Sequence, residues 1–224
     1  RFTVAAVSHD LRSPLTALLA HAEAVQTGVA EDPARSLSLV VEKAQQMQQL
    51  IQDLFELAAL DADQSPWPAA RTDVAEVVRQ CVAGWLPQFE AAGMAIDPDI
   101  PEAALVADLP PGKLERVLDN LLGNALKYAA DGGWLGVQAA LTGGMIRIVV
   151  ADHGPGIPAD EQSRIFDQFY RAGAARTGTA RGSGLGLAVA RRTVERLGGR
   201  IGVESPPAGG ARFWVELPAA PPES

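Results

Sequence analysis

The sequence predicts a helical hairpin followed by a two-layer α/β sandwich, and three observations carry that expectation. Residues 1–62 place apolar side chains at helical spacing through two long stretches. Residues 61–70 then break the period with Pro66 and Pro68, the mark of a domain boundary. Beyond Arg71, helical and alternating patterns interleave, as they do where helices cover one face of a mixed sheet. The organisation expected is a helical domain over 1–62, a linker over 63–71, an α/β domain over 72–218 and a disordered tail over 219–224.

The first helix is expected from residue 1 to about 28. Val4, Leu11, Leu15, Leu18, Ala22 and Val25 share one face at about 100° per residue. His9 points nearly the opposite way, with Ser13 and Thr16 on its face and Asp10 one step round. An imidazole is thus offered to solvent beside a carboxylate, although for an isolated histidine the plain reading is a surface residue with no task. Pro14 cannot donate to the carbonyl four residues back and should kink the helix near His9.

Gly28 ends this helix, and Asp32 with Pro33 starts the next, as N-cap and first-turn residue. The second helix runs to about Asp61. Leu37, Val40, Ala44, Met47, Ile51, Leu54 and Ala58 alternate in steps of three and four, the spacing of a coiled-coil seam. Two helices with narrow stripes cannot enclose a core alone, so a homodimeric four-helix bundle is expected. The competing arrangement is a hairpin packed on its own C-terminal domain.

In the second domain, helices are expected over about Asp73–Ala92, Lys113–Ala129 and Leu185–Leu197. Short strands are expected near Met94–Asp97 and Ala104–Ala107, and a closing hairpin at Arg200–Glu204 and Arg212–Leu217. Leu135, Val137, Ala139 and Leu141 line one face of a strand; Ile146, Ile148 and Val150 line the next.

Four stretches here carry chemistry. Asn120, Asn124, Lys127 and Tyr128 fall on one helix face, opposite Leu114, Val117, Leu118, Leu121, Leu122 and Ala125. Asp152-His153-Gly154-Pro155-Gly156-Ile157 sets a carboxylate at a strand end beside glycines that allow close approach of a ligand, or make only a turn. Residues 171–183 have no apolar period, are basic through Arg171, Arg176 and Arg181, and are too long for a simple connection, which predicts a mobile lid. Gly182-Ser183-Gly184-Leu185-Gly186-Leu187 opens a helix whose free N–H groups suit a phosphate. The strand that a dinucleotide fold wants before such glycines is missing, as is the Gly-Lys-Ser/Thr of a P-loop.

Composition limits the partners. A formal charge of −8 argues against nucleic acid and anionic lipid. The single Cys81 excludes an internal disulfide, and no apolar run is long enough to span a bilayer. A start in mid-helix at Arg1 is read as a fragment whose upstream part holds any membrane span or sensor.

Taken together, these stretches make the chain similar to the cytoplasmic core of bacterial two-component sensor histidine kinases. Ser8 to Leu15 resembles the H box, Leu118 to Ala125 the N box, Asp152 to Ile157 the G1 box, Ile165 to Arg171 the F box and Gly182 to Leu187 the G2 box, in family order. The resemblance implies a dimerisation and phosphoacceptor domain with His9 as acceptor, followed by an ATP-binding domain of the Bergerat type. It also implies that Asp152 accepts from the adenine amino group, that Tyr128 lies against the base and that Asn124 binds Mg²⁺. Asn120, Lys127 and the glycines Gly182, Gly184 and Gly186 would hold phosphates. Gly154, Gly156, Ile157, Phe166, Arg171, Arg181, Leu185 and Leu187 complete the implied nucleotide-contacting set.

On that likeness the expected activity is ATP-dependent phosphorylation of His9, aided by Asp10, then transfer to an aspartate of a partner response regulator. An unperturbed imidazole is largely neutral at pH 7 and can attack the γ-phosphorus. A membrane-anchored parent, with this part in the cytoplasm, is implied as well. Within the same ATP-binding group, hydrolases need a carboxylate one turn before the metal-binding Asn, and here that position is Asn120. An inactive dimeric scaffold is the non-enzymatic alternative. Asp10-Leu11-Arg12-Ser13 departs from the acid-x-x-Thr/Asn pattern of kinases that also dephosphorylate their regulator, which leaves that activity open.

Overall fold

The computed structural model describes residues 4–62, 65, 67–171, 183–207 and 209–221, with side chains from Leu11 onward. The chain divides into two compact units, Arg1–Asp61 and Ala62–Ser224.

The first unit is a helix–turn–helix. Helix α1 spans Val4–Gln26 and continues through Pro14; α2 spans Pro33–Ala62. Asp32 caps α2 as its composition predicts: the Arg35 amide donates to Asp32 Oδ1 at 3.0 Å, and Pro33 occupies the first turn. The apolar surface of α2 is wider than the single seam read from the sequence. Leu50, Leu57 and Leu60 are buried, while Leu37, Val41, Ile51 and Phe55 remain exposed, as do Leu15 and Leu19 on α1. None of the predicted seam residues is fully buried: Val40, Met47 and Leu54 are half-buried, and Leu37, Ala44, Ile51 and Ala58 are exposed.

The first strand of the second unit, at the boundary between linker and domain, is not visible in the sequence pattern. Strand β1, Arg71–Asp73, pairs antiparallel with β3, Val106–Asp108. Three residues are too few to display a period. Helix α3, Val74–Ala91, starts at Asp73, whose Oδ1 accepts from the Ala75 and Leu105 amides at 3.0 Å each. Strand β2, Ala95–Asp99, opens the main sheet; α4, Pro111–Tyr128, follows β3. Strands β4, Trp134–Thr142, and β5, Met145–Asp152, form a hairpin. Helix α5, Gly186–Arg196, precedes β6, Arg200–Glu204, and β7, Ala211–Pro218.

The five-stranded sheet runs β2-β4-β5-β7-β6, with only the β2–β4 pair parallel. Helices α3, α4 and α5 share its core. Leu114, Val117, Leu118, Leu121, Leu122 and Ala125 of α4 are all buried there, the face that the 3.6-residue period predicts. Full burial of one such leucine stabilises by about 1.5–3 kcal/mol. The other sheet face is polar: Arg147 lies 5.2 Å from the Trp214 ring centroid and pairs with Glu216 at 3.3 Å.

Two expectations are corrected here. Leu141 is 58% exposed although Leu135, Val137 and Ala139 on the same face are buried. Strand β2 pairs with β4 only as far as Gln138, so no residue of β2 flanks Leu141. The tail is tied down as far as Pro221: the Ala219 amide donates to Gly144 O at 3.0 Å and the Ala220 amide to Val106 O at 2.7 Å. Arg71 reaches Pro221 O at 3.3 Å, and residues 222–224 lie outside the described residues. Among the described residues, no helix is long and apolar enough to cross a membrane.

Candidate nucleotide site

The polar face of α4, the end of β5 and the start of α5 meet at one rim of the second unit. At Gly154 a Cβ would come within 2.8 Å of Ala129 Cβ, so the loop after β5 lies directly against the residue that ends α4. At Gly186 it would meet Asn120 Oδ1 at 2.6 Å, so α5 begins against the Asn120 carboxamide. Both glycines are required by close approach rather than by turn geometry.

Asp152 sits at the end of β5, half-buried. Its Oδ1 accepts from the amides of Gly154 at 2.8 Å and Ala211 at 3.1 Å. Burial pushes its carboxyl up from the usual carboxylate range, against those two bonds, which pull it down. Both amides go to one oxygen, so Oδ2 retains acceptor capacity.

The loop that follows is held by residues whose part the sequence concealed. The Ile157 amide donates to Ser205 Oγ at 2.8 Å, and the Gly210 amide donates to Gly154 O at 2.8 Å. Gly156 has φ +77°, a conformation that favours glycine. Ser205 and Gly210 read in the sequence only as turn residues before a strand; nothing in their spacing ties them to Asp152.

On α4, Asn120 Nδ2 donates to Arg116 O at 3.0 Å, which fixes the amide orientation and turns Oδ1 towards α5. Asn124 is half-buried one turn further on. Lys127 Nζ lies 4.8 Å from the Tyr128 ring centroid. Burial, and then the Arg171 guanidinium, push the Lys127 ammonium down to about 8. A triphosphate bound beside it would favour the charged form and raise this pKa. On that reading the Lys127 contribution to ATP affinity should be constant below about pH 8 and fall as pH rises from there to the pKa of the complex. Lys127→Arg should flatten that profile, since guanidinium stays charged; titrations of binding across this range check it.

Arg171 and Gly184 lie on either side of the stretch read from the sequence as a lid. The Phe169 amide donates to Gly184 O at 3.0 Å, so the F box and the G2 box are joined by a backbone bond. Phe169 itself has φ 62°, an uncommon conformation for a residue with a side chain. A Cβ at Gly184 would meet Tyr170 O at 2.8 Å. Residues 172–182, which include Arg176, Arg181 and Gly182, lie outside the described residues, and with them the lid.

Two residues implied as nucleotide contacts belong to the core. Phe166 is 7% exposed and packs edge-on against Phe213, centroids 6.5 Å apart. Leu185 is fully buried, its amide donating to Ser183 Oγ at 3.2 Å, and the partly buried Leu187 and Ile157 pack against the core. His153 stacks on Trp134 at 4.3 Å. His9 and Asp10 fall within α1, while their side chains lie outside the described residues; Ser13, one turn on, is exposed.

Among the described residues, no three His, Cys, Asp or Glu side chains gather into a metal cage. The Asn124 carboxamide is a single neutral oxygen donor. Such a set fits Mg²⁺, which usually takes few protein ligands and fills its shell from phosphates and water.

Residues 110–221 match the family of histidine kinase-, DNA gyrase B- and HSP90-like ATPases, and residues 1–63 match the His Kinase A (phospho-acceptor) domain. The sensor histidine kinase YcbM of Bacillus subtilis (strain 168) is 31% identical over 94% of this chain and 69% of its own length. The chain spans less than half the length of several other curated sensor kinases that it matches. Full-length ShkA in complex with AMPPNP superposes with TM-score 0.70 at 30% identity, over 98% of this chain and 46% of that one. The histidine kinase ThkA, in complex with the response regulator TrrA, gives TM-score 0.77 at 19% identity, over 96% and 60%. With an ATP-binding sandwich behind a phosphoacceptor hairpin, the chain belongs to the sensor histidine kinases.

Proposed function

We propose that this chain uses ATP with Mg²⁺ to phosphorylate His9 and passes the phosphoryl group to an aspartate of a response regulator. The observation that carries the reading is the convergence of Asp152, Asn120, Lys127 and Gly186 at the start of α5 on one rim. A carboxylate with a spare oxygen suits the adenine amino group, the Tyr128 ring can lie against the base, and an ammonium with a helix N-terminus suits phosphates.

A nitrogen of His9 forms its bond to the γ-phosphorus as the bond from that phosphorus to the bridging oxygen breaks and ADP leaves. Asp10 orients the ring through its other nitrogen and shares the proton there. When bound, Mg²⁺ neutralises charge on the triphosphate oxygens, with Asn124 as its protein ligand. Asn120 in place of a carboxylate leaves no base to activate water, which favours transfer over hydrolysis. In the second transfer the N–P bond breaks as a carboxylate oxygen of the regulator takes the phosphoryl group. The solved complex of ThkA with TrrA supports a partner of that kind.

The exposed Leu15, Leu19, Leu37, Val41, Ile51 and Phe55 of the hairpin support a homodimeric four-helix bundle. Ser13 is exposed, and its hydroxyl is the group on which any phosphatase activity towards the regulator would rest. An upstream membrane anchor, with this core in the cytoplasm, completes the reading.

The test is incubation with γ-labelled ATP and Mg²⁺, followed by addition of a receiver domain. Label on the chain should be stable to alkali and labile to acid, and should move to the receiver within minutes. ATP binding without label would contradict the proposal and leave the inactive scaffold.

A further inference from the structure

We infer that Trp67 is a positioning residue that fixes where the linker leaves the ATP-binding domain and so sets its reach towards His9. This rests on the proposed phosphorylation of His9. The Trp67 ring is held between two cations: Arg196 Cζ lies 4.3 Å and Lys113 Nζ 4.9 Å from its centroid. Arg196 also donates to Ser65 O at 2.6 Å. Lys113 is in the first turn of α4 and Arg196 is the last residue of α5. The ring therefore bridges the ends of α4 and α5 that lie away from the nucleotide rim, where Asn124 and Lys127 close α4 and Gly186 opens α5.

The lengths on either side of this anchor agree. From Lys113 to Asn124 and Lys127, α4 rises roughly 17 to 21 Å. In the hairpin, His9 stands as far from the end of α1 as Leu50 from the start of α2, so the two lie about level. From Leu50 to the end of α2 at Ala62 is roughly 18 Å. The length of α4 from Lys113 to its phosphate-holding residues is thus about that of α2 from Leu50 to Ala62, roughly 17 to 21 Å against roughly 18 Å. With the anchor in place, the chain from Ala62 to Trp67 spans at most roughly 17 Å. Without it, the root retreats to Arg71 and the span grows to roughly 31 Å. Effective concentration falls as about the −3/2 power of tether length, which predicts a loss of about two- to threefold from length alone.

The experiment compares the full chain with Trp67→Ala, Trp67→Phe and two insertions of Gly-Ser-Gly-Ser, one after Ala62 and one after Ala69. Trp67→Ala should lower kcat for autophosphorylation about threefold with KM for ATP unchanged, and Trp67→Phe should restore most of it. The insertion after Ala62 should lower kcat like Trp67→Ala. The insertion after Ala69 should be silent in the wild type and deepen the loss in the Trp67→Ala background. A rise in KM in place of a fall in kcat, or equal effects of the two insertions, would overturn the assignment. Absence of label on the wild type would count against phosphorylation of His9 itself, a separate failure.

Discussion

His9→Gln is expected to lower label uptake from γ-labelled ATP by at least roughly 10³-fold while ATP affinity stays within about twofold of wild type. Glutamine has comparable length and polarity but no nucleophilic nitrogen. His9 lies in α1 of the first unit, whereas Asp152, Asn120 and Lys127 belong to the second. Parallel measurements of label and of equilibrium ATP binding check this. Label that persisted would move the acceptor to Ser8, Ser13 or another side chain.

Asp152→Asn should weaken ATP binding roughly 10- to 100-fold, the size expected when a hydrogen bond to a charged acceptor is lost. Asparagine keeps an Oδ1 for the Gly154 and Ala211 amides, so the loop after β5 stays in place. At the other position it offers a donor to the adenine amino group, itself a donor. The variant should melt at or slightly above the wild-type temperature, because burial already disfavours the charged carboxylate. Asp152→Ala should differ in kind, since it leaves two amides without their acceptor at about 1–3 kcal/mol each. Calorimetric titration with ATP and thermal melts separate the two variants, and unchanged affinity in Asp152→Asn would remove Asp152 from the base-binding role.

The elements whose burial follows a simple period were legible in the sequence. Helix α4 places Leu114 to Ala125 inward and Asn120 to Tyr128 towards the rim, as its spacing predicts. Asp32 and Asp73 cap their helices for the reason their chemistry suggests. Features that depend on distant strands were not legible. Strand β1 exists because β3 pairs with it, and Leu141 is exposed because β2 stops short of it. Within the site, motif likeness located Asp152, but not Ser205 and Gly210, which hold the loop after it from some 50 residues away in the chain. Phe166 shows the reverse: it lies inside a recognised motif, yet its ring serves the core beneath the site. Trp67 stood out in the sequence only as part of a proline-rich break, because the cations that hold it come from two helices far along the chain.

The most direct measurement is the position of the phosphoryl group. After brief incubation with ATP and Mg²⁺, digestion under alkaline conditions yields the peptide ending at Arg12, which contains both Ser8 and His9. Fragmentation that retains labile phosphate should place it on the His9 ring in the wild type and find none in Asn124→Ala. Phosphate on Ser8, or on no residue of that peptide while ATP is turned over, would contradict the account.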